Sequence, residues 1–152
     1  ILLQSGRNMA MLSGYKELNI DEKGRLVLPS KYRDVFSDGK AFVQLGPDFC
    51  LSVYSKEGYD KIAEKIFSLN SFDPKVRRIQ RYFSSNTEEV EIDSHNRISL
   101  SKRMMEGVAL KKNVVLVGVY DHLEIWDKEQ YQKSVTESQE DFSTDLFDMI
   151  GK

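Results

Sequence analysis

The chain contains two copies of one sequence pattern. Residues 15–59 align with residues 87–131 without a gap, and 12 of the 45 aligned positions are identical. The identical pairs include Asp21 with Asp93, Arg25 with Arg97, and Val43 with Val115. One unit of this length is too short to bury a stable core alone. The repeat therefore predicts two related units that pack on each other as one domain, about a pseudo-two-fold axis.

The repeat also sets the predicted organisation of the chain. The segments in order are an N-terminal extension (1–10), a first repeat (11–59), linker helices (60–86), a second repeat (87–131) and an acidic tail (132–152). The extension lacks the charge order of a secretory signal peptide, and we expect it to be an expression remnant or a loose arm. No apolar run approaches the ~20 residues of a membrane span, so no membrane partner is expected.

Each repeat has the residue pattern of a strand, a turn, a second strand, a short helix, two more strands and a longer helix. Alternating residues predict the first strand of the second repeat at 88–92. In the turns, Asp21 and Asp93 can accept backbone N–H groups, and Gly24 and Asn96 stand where a positive φ is required. The pattern predicts an α+β fold, in which four strands from each repeat form a small closed or interlocked β structure, such as a β-barrel, with peripheral helices.

Capping residues predict where the helices begin. Pro29 opens a short helix over 30–36, and Ser101 is the N-cap of its counterpart in the second repeat. Ser55 and Asp73 precede two helices of the linker region. Helical spacing then gives two apolar stripes, one facing the core at Tyr59, Ile62, Ala63, Ile66 and Phe67, and one at Val76, Ile79 and Phe83.

The charge of the chain is unevenly distributed. The net charge of −2 by itself argues against a nucleic-acid-binding protein. Residues 134–152, however, hold five acidic groups and one basic group, whereas the rest of the chain carries 21 basic and 19 acidic groups. The body of the protein is therefore mildly basic. We expect the tail to dock on a neighbour, to fold on a partner or to compete with DNA for basic loops.

Residues 21–33, with the sequence DEKGRLVLPSKYR, resemble the D-x-K-G-R-x-x-x-P-x-x-x-R signature of the MraZ family. Three further stretches are similar to that family, at 11–15, 77–85 and 115–126. The resemblance implies two swapped-hairpin units of the AbrB type, assembly of the chain into rings, and binding to repeated promoter sequences of the division and cell-wall genes. It also implies a cytoplasmic, nucleoid-associated transcriptional regulator that needs no cofactor.

The second repeat departs from this signature. His95, Asn96 and Arg97 replace the usual Lys-Gly-Arg, and Ser101 replaces the proline. Asn96 still suits the turn, but a histidine is largely neutral at pH 7 and binds phosphate less well than a lysine. We therefore expect the two loops to contribute unequally to DNA binding.

The resemblance and the residue chemistry together assign candidate DNA-binding residues. A guanidinium can grip a guanine edge or a phosphate, so Arg25 and Arg97 are the main candidates. The alternative is that each arginine pairs with Asp21 or Asp93 and braces its own loop, and both roles are compatible. The remaining candidates are Lys23 and His95 at the loop tips, Gly24 and Asn96 in the turns, and Lys31, Arg33, Lys102 and Arg103 on the flanking helices.

The linker holds Arg77, Arg78 and Arg81, which either extend the basic surface or pair with the glutamates of 88–91 or with neighbouring helices. We favour the pairing.

The sequence offers no set of residues in a pattern typical of catalysis. One cysteine, Cys50, and two histidines do not make a soft-ligand metal site, and no phosphate-cradling glycine loop is present. We therefore expect no catalysis, cofactor, metal or small-molecule substrate. The alternative to a DNA-binding regulator is a ring-shaped scaffold that binds proteins or its own tail.

Overall fold

The computed structural model describes residues 12–139 and 141–151. The described residues form strands β1 (Tyr15–Asn19), β2 (Arg25–Val27), β3 (Lys40–Leu45), β4 (Leu51–Tyr54), β5 (Thr87–Glu91), β6 (Arg97–Ser99), β7 (Asn113–Val119) and β8 (His122–Asp127). They also form helices α1 (Lys56–Phe67), α2 (Pro74–Ser85), α3 (Lys102–Gly107), α4 (Lys128–Gln139) and α5 (Phe142–Ile150). The α+β class is confirmed, and the N-terminal extension at 1–10 lies outside the described residues.

The strands form two antiparallel sheets that interleave the two repeats. One sheet has six strands in the order β1-β7-β8-β4-β3-β5, and the other is a two-stranded ribbon of β2 and β6. The first repeat places β1 on β7, and the second places β5 on β3. Within the described residues the larger sheet ends at β1 and β5 and does not close into the predicted barrel. The turns after β1 and β5 lead the chain out of that sheet, so β2 and β6 pair only with each other.

The strand ladders correct the gapless repeat alignment at β3 and β7. Phe42 pairs with Tyr54, and Val115 pairs with Trp126. The gapless alignment matches Tyr54 with Trp126, but it matches Val43, and not Phe42, with Val115. A shift by one position exchanges the two faces of a strand, and burial of the apolar face fixes the register. The structural counterpart of Val115 is therefore Phe42, and its sequence match to Val43 is wrong.

The main core contains residues from both repeats. Leu26 of β2 and Ile98 of β6 are completely buried against the larger sheet, where Leu51, Val53, Leu123 and Ile125 are also completely buried. A smaller cluster of Cys50, Val115 and Trp126 is separate from it. Because the ribbon supplies central core residues, its position on the sheet is fixed by packing.

Three helix caps confirm the sequence predictions. The Ser55 hydroxyl accepts from the N–H of Gly58, Asp73 accepts from the N–H of Lys75, and Ser101 accepts from the N–H of Met104. The helix predicted at 30–36 is instead a single 3₁₀ turn, Ser30–Tyr32, followed by further turns. Most of its backbone bonds run from residue i+3 to residue i, including Tyr32 to Pro29, and such segments rarely extend.

The two apolar stripes are only partly buried. On α1, Tyr59 and Ile66 are half-buried and Phe67 is exposed. On α2, Ile79 is exposed, whereas the polar Gln80 takes the buried position beside Phe83. Gln80 donates to the Ile66 carbonyl at 3.2 Å and accepts from the Ser71 hydroxyl at 3.2 Å, so it ties α2 to the end of α1. No helix among the described residues is long and apolar enough to cross a membrane.

Candidate nucleic-acid interface

Two loops with the same hydrogen-bond geometry precede the ribbon strands. In the first, one carboxylate oxygen of Asp21 accepts from the backbone N–H of Lys23 and of Arg25, at 2.9 and 2.8 Å. Its other oxygen accepts from Arg25 Nε at 2.7 Å. In the second, Asp93 accepts from the N–H groups of His95 and Arg97, both at 2.9 Å, and from Arg97 Nε at 2.8 Å. Each aspartate therefore closes its loop and holds its arginine.

The turns use the conformation predicted for them. Gly24 has a φ of 78° and Asn96 has a φ of 61°, so both lie in the left-handed region. The Asn96 side chain donates from Nδ2 to the Leu28 carbonyl at 2.6 Å, and the Leu100 N–H donates to the Gly24 carbonyl at 2.8 Å. Each turn is thus anchored to the repeat in which it does not lie.

These contacts also set the charge of the loops. Hydrogen bonds from the backbone N–H and the guanidinium of Arg25 lower the pKa of Asp21, although partial desolvation opposes them. Arg97 lowers the pKa of Asp93 in the same way. Both carboxylates are therefore ionised at neutral pH and offset the arginine charges. Within the described part of the chain, the terminal guanidinium nitrogens of the two arginines make no hydrogen bond.

The ribbon places both arginines on its outward face. Leu26 and Ile98 pair directly and point into the core, so the neighbouring residues point outward. Arg25 pairs with Ser99, and Val27 pairs with Arg97. The two arginines are therefore diagonal neighbours, a relationship that puts residues about 7–8 Å apart. A two-stranded ribbon fits the major groove of B-DNA, which is about 12 Å wide.

Sequence reasoning did not single out Val27 and Ser99, which lie between the arginines on this face. Both are exposed, Val27 by 50%. The signal for them was the alternation along each strand, because Leu26 and Ile98 are inward and their neighbours must be outward. An exposed valine beside two arginines can contact the methyl group of thymine, and a serine hydroxyl can bond to a base or a phosphate.

The basic side chains of the loop tips and of the flanking helices differ in their exposure and in their contacts within the protein. Lys23 and His95 are exposed at the tips. Lys31 lies 5.0 Å above the Tyr32 ring, and Lys102 is 4.0 Å from Glu106. Arg103 donates to Asn86 at 2.6 Å, which engages it within the protein. Arg33 is exposed, and its guanidinium has no polar partner among the described residues.

Among the described residues of one chain, none of the three linker arginines pairs with the glutamates of 88–91, and pairing between copies stays a prediction. Arg77 donates to the carbonyls of Ser71 and Phe72, at 2.9 and 3.1 Å. Glu88 accepts from Ser101, and Glu89 pairs with Lys40 at 3.3 Å. The carbonyls at the end of the α1–α2 connection lie within reach of Arg77, so it braces that connection.

A second polar cluster lies at the start of β8. His122 bonds to Asp121 at 2.7 Å and to Glu124 at 3.4 Å, and Glu124 accepts from the Trp126 indole at 2.9 Å. Burial of the ring disfavours protonation, but the two carboxylates outweigh it and raise the pKa of His122. Burial raises the pKa of the Cys50 thiol as well. No group of His, Cys, Asp and Glu in the described ranges is arranged to hold a metal ion.

Comparison with known proteins agrees with the repeat and with the signature. The model of one family, described as "MraZ protein, putative antitoxin-like", matches the chain twice, at residues 11–82 and 83–152. The chain belongs to the MraZ family. The two matches begin at positions 11 and 83, an offset equal to that between positions 15 and 87 of the repeat alignment, which confirms the internal repeat.

Relatives within the MraZ family cover most of the chain. A protein of Cytophaga hutchinsonii named transcriptional regulator MraZ is 33% identical over 138 residues, which are 89% of this chain and 91% of the relative. Its namesake in Rhodococcus jostii is 36% identical over 133 residues, 88% of this chain and 92% of the relative. That of Thioalkalivibrio sulfidiphilus is 35% identical over 127 residues, 82% of this chain and 85% of the relative.

Proposed function

We propose that this protein is a transcriptional regulator that binds a repeated DNA element as a homo-oligomer, through the outward face of the β2–β6 ribbon and its two loops. The observation that carries the proposal is the pair of arginines on that face, each held by an aspartate through Nε, with terminal nitrogens that bond to none of the described residues. The names of its relatives within the MraZ family support a role in transcription. Double-stranded DNA is the partner whose major groove has the width to accept a two-stranded ribbon.

The residues of the face have distinct roles in this proposal. Arg25 and Arg97 reach guanine O6 and N7 with their terminal nitrogens, because the bracing carboxylates engage only Nε. Lys23 contacts a phosphate from the first loop, and His95 contacts one more weakly from the second. Lys31, Arg33 and Lys102 add phosphate contacts from the flanking segments, whereas Arg103 contributes less because Asn86 engages it.

Binding by a single copy is weak in this account. The loop at 21–25 carries two acidic and two basic residues, so it has no net charge to attract a polyanion. Several copies in a ring, set against successive direct repeats, raise the affinity without new contacts. The reciprocal pairing of β1 with β7 and of β5 with β3 supports a pseudo-two-fold relation between the repeats. We extend the proposal to promoters of the division and cell-wall genes and to a place on the nucleoid.

The test compares three forms of the full chain on DNA selected from a random pool by the unmodified protein. The double variant Arg25→Ala, Arg97→Ala should abolish selective binding while the assembly keeps its mass in light scattering. The matched control, Arg81→Ala, removes one exposed arginine of α2 and should bind as the unmodified protein does.

A further variant separates phosphate binding from base recognition. Lys23→Ala should weaken binding to all sequences alike and lower the slope of log affinity against log salt by about 0.9 for each phosphate that the lysine neutralises. Unimpaired selective binding by the double arginine variant would reject the ribbon as the DNA-binding face. Absence of binding by the unmodified protein at low salt would favour the scaffold function instead.

A further inference from the structure

Helix α5 exposes an apolar face that nothing in the described structure covers. Its apolar side chains are between 45% and 84% exposed, namely Phe142, Leu146, Phe147, Met149 and Ile150. Phe142, Leu146 and Met149 share one stripe at helical spacing. A nine-residue helix is marginal in water without a packing partner. The face therefore needs a surface to pack against.

An apolar groove lies between α1, α2 and the end of β3. It has a volume of about 440 Å³ and is lined by Leu45, Pro47, Ile66, Ile79, Tyr82 and Phe83, with Arg78 at the same site. Ile79 and Tyr82 are about half exposed. The exposed apolar position of Ile79, which the core packing of α2 does not explain, belongs to this groove.

The groove and the helix are complementary in charge. Lys75, Arg78 and Tyr82 lie three and four residues apart on α2, so two basic side chains follow the same face as the groove. Helix α5 and its N-cap hold Asp141, Asp145 and Asp148 and contain no basic residue. Asp145 borders the apolar stripe, because it is one helical turn from Met149 and adjacent to Leu146.

Contacts within the chain place the start of α4 on strands β1, β7 and β8, which do not line the groove. Helix α4 packs on β7 and β8, and its Tyr131 ring lies 5.6 Å from the Tyr15 ring on β1. The groove lies beside β3, three strands from β7, a distance of about 14 Å across the sheet. One residue, at position 140, separates α4 from the N-cap of α5.

We propose that α5 of one copy docks its apolar face in the α1–α2 groove of a second copy, with Asp145 against Arg78. This inference rests on the self-assembly in the proposed function but is independent of DNA binding. The groove of the first copy then receives α5 from another neighbour, so the contact is head-to-tail and can close into a ring.

Charge reversal tests the pairing in the full chain. Arg78→Glu and Asp145→Lys should each weaken self-association about tenfold or more, because each places like charges together. The variant with both changes should recover most of the original affinity. The matched control, Lys16→Glu on β1, makes the same charge change as Arg78→Glu away from the groove and should leave self-association unchanged. Failure of the double variant to recover, with single variants that do weaken assembly, would overturn the pairing.

Disulfide trapping tests which copy supplies the helix. Chains with Ile79→Cys and chains with Met149→Cys carry different tags and are mixed under oxidising conditions, while Cys50 stays buried. A disulfide between the two tagged chains supports the proposal. A disulfide that forms only when both cysteines are in one chain would overturn docking between copies. If the protein still assembles but no disulfide forms, the proposed contact is overturned and the self-assembly is not. If the protein is a monomer at every concentration, the self-assembly is overturned as well.

Discussion

Asn96 combines a positive φ with a side-chain hydrogen bond, and two substitutions separate these contributions. The residue has a φ of 61°, and its Nδ2 donates to the Leu28 carbonyl at 2.6 Å. Asn96→Ala removes the hydrogen bond and leaves a methyl group in the left-handed region. Asn96→Gly removes the same bond but suits that backbone conformation.

The free energies follow from these two contributions. Loss of the hydrogen bond costs about 1 kcal/mol in both variants. The left-handed conformation costs alanine a further 1–2 kcal/mol, roughly, whereas glycine loses about 0.4–1 kcal/mol through the greater freedom of the unfolded chain. Asn96→Ala should therefore lower the free energy of unfolding by about 2–3 kcal/mol. The loss in Asn96→Gly should be smaller than the loss in Asn96→Ala by about 1 kcal/mol.

Urea unfolding measures this difference. All proteins are unfolded at one protein concentration, because self-association makes the midpoint depend on concentration. The slope against urea should be unchanged, so the midpoints report stability. Gly24→Asn is the matched control, since it places in the first turn the residue that the second turn already uses. Equal midpoints for Asn96→Ala and Asn96→Gly, or a lower midpoint for the glycine variant, would refute the argument from backbone conformation.

Three further predictions concern other parts of the fold. Gly118→Ala should lower the free energy of unfolding by about 1–3 kcal/mol, because a methyl group there would overlap the backbone of Ser13. Thermal unfolding of the variant and of the unmodified protein measures this loss. The raised pKa of His122 contributes stability that is complete below about pH 6.5 and is lost as pH rises through the folded-state pKa. His122→Gln should remove that dependence from unfolding midpoints measured against pH. Cys50, 1% exposed and with a raised pKa, should react with a thiol reagent only as the protein unfolds, and immediate labelling would contradict its burial.

Features that depend on neighbouring residues in the chain were predictable from the sequence. The caps at Ser55, Asp73 and Ser101 form as expected, because each needs only a side-chain oxygen next to free backbone N–H groups. The turns at Gly24 and Asn96 also form as expected, because few residue types tolerate a positive φ.

Features that depend on distant packing were not predictable from one sequence. The register of β3 and β7 follows from which face of each strand is buried, and a gapless alignment does not contain that information. Gln80 is buried in place of Ile79 because its amide bonds to the Ile66 carbonyl at the end of α1, in a different helix. Arg77 similarly finds backbone carbonyls and not the expected glutamates.

The candidate site was predictable from the sequence only in part. The two loops were found from the repeat and from the signature that they share. The outward face that joins them was not, because it requires β2 to pair with β6 in a particular register. That pairing adds Val27 and Ser99 to the predicted arginines.

Crosslinking from the ribbon to DNA measures whether the outward face of β2 and β6 contacts the bases. A photoreactive residue replaces Val27 or Ser99 in the full chain, and a control protein carries it at the exposed Arg81 of α2. If the ribbon lies in the major groove, positions 27 and 99 crosslink to the bases of the selected repeat and position 81 does not. A protein that binds the same DNA with crosslinks from position 81 and none from the ribbon would contradict it.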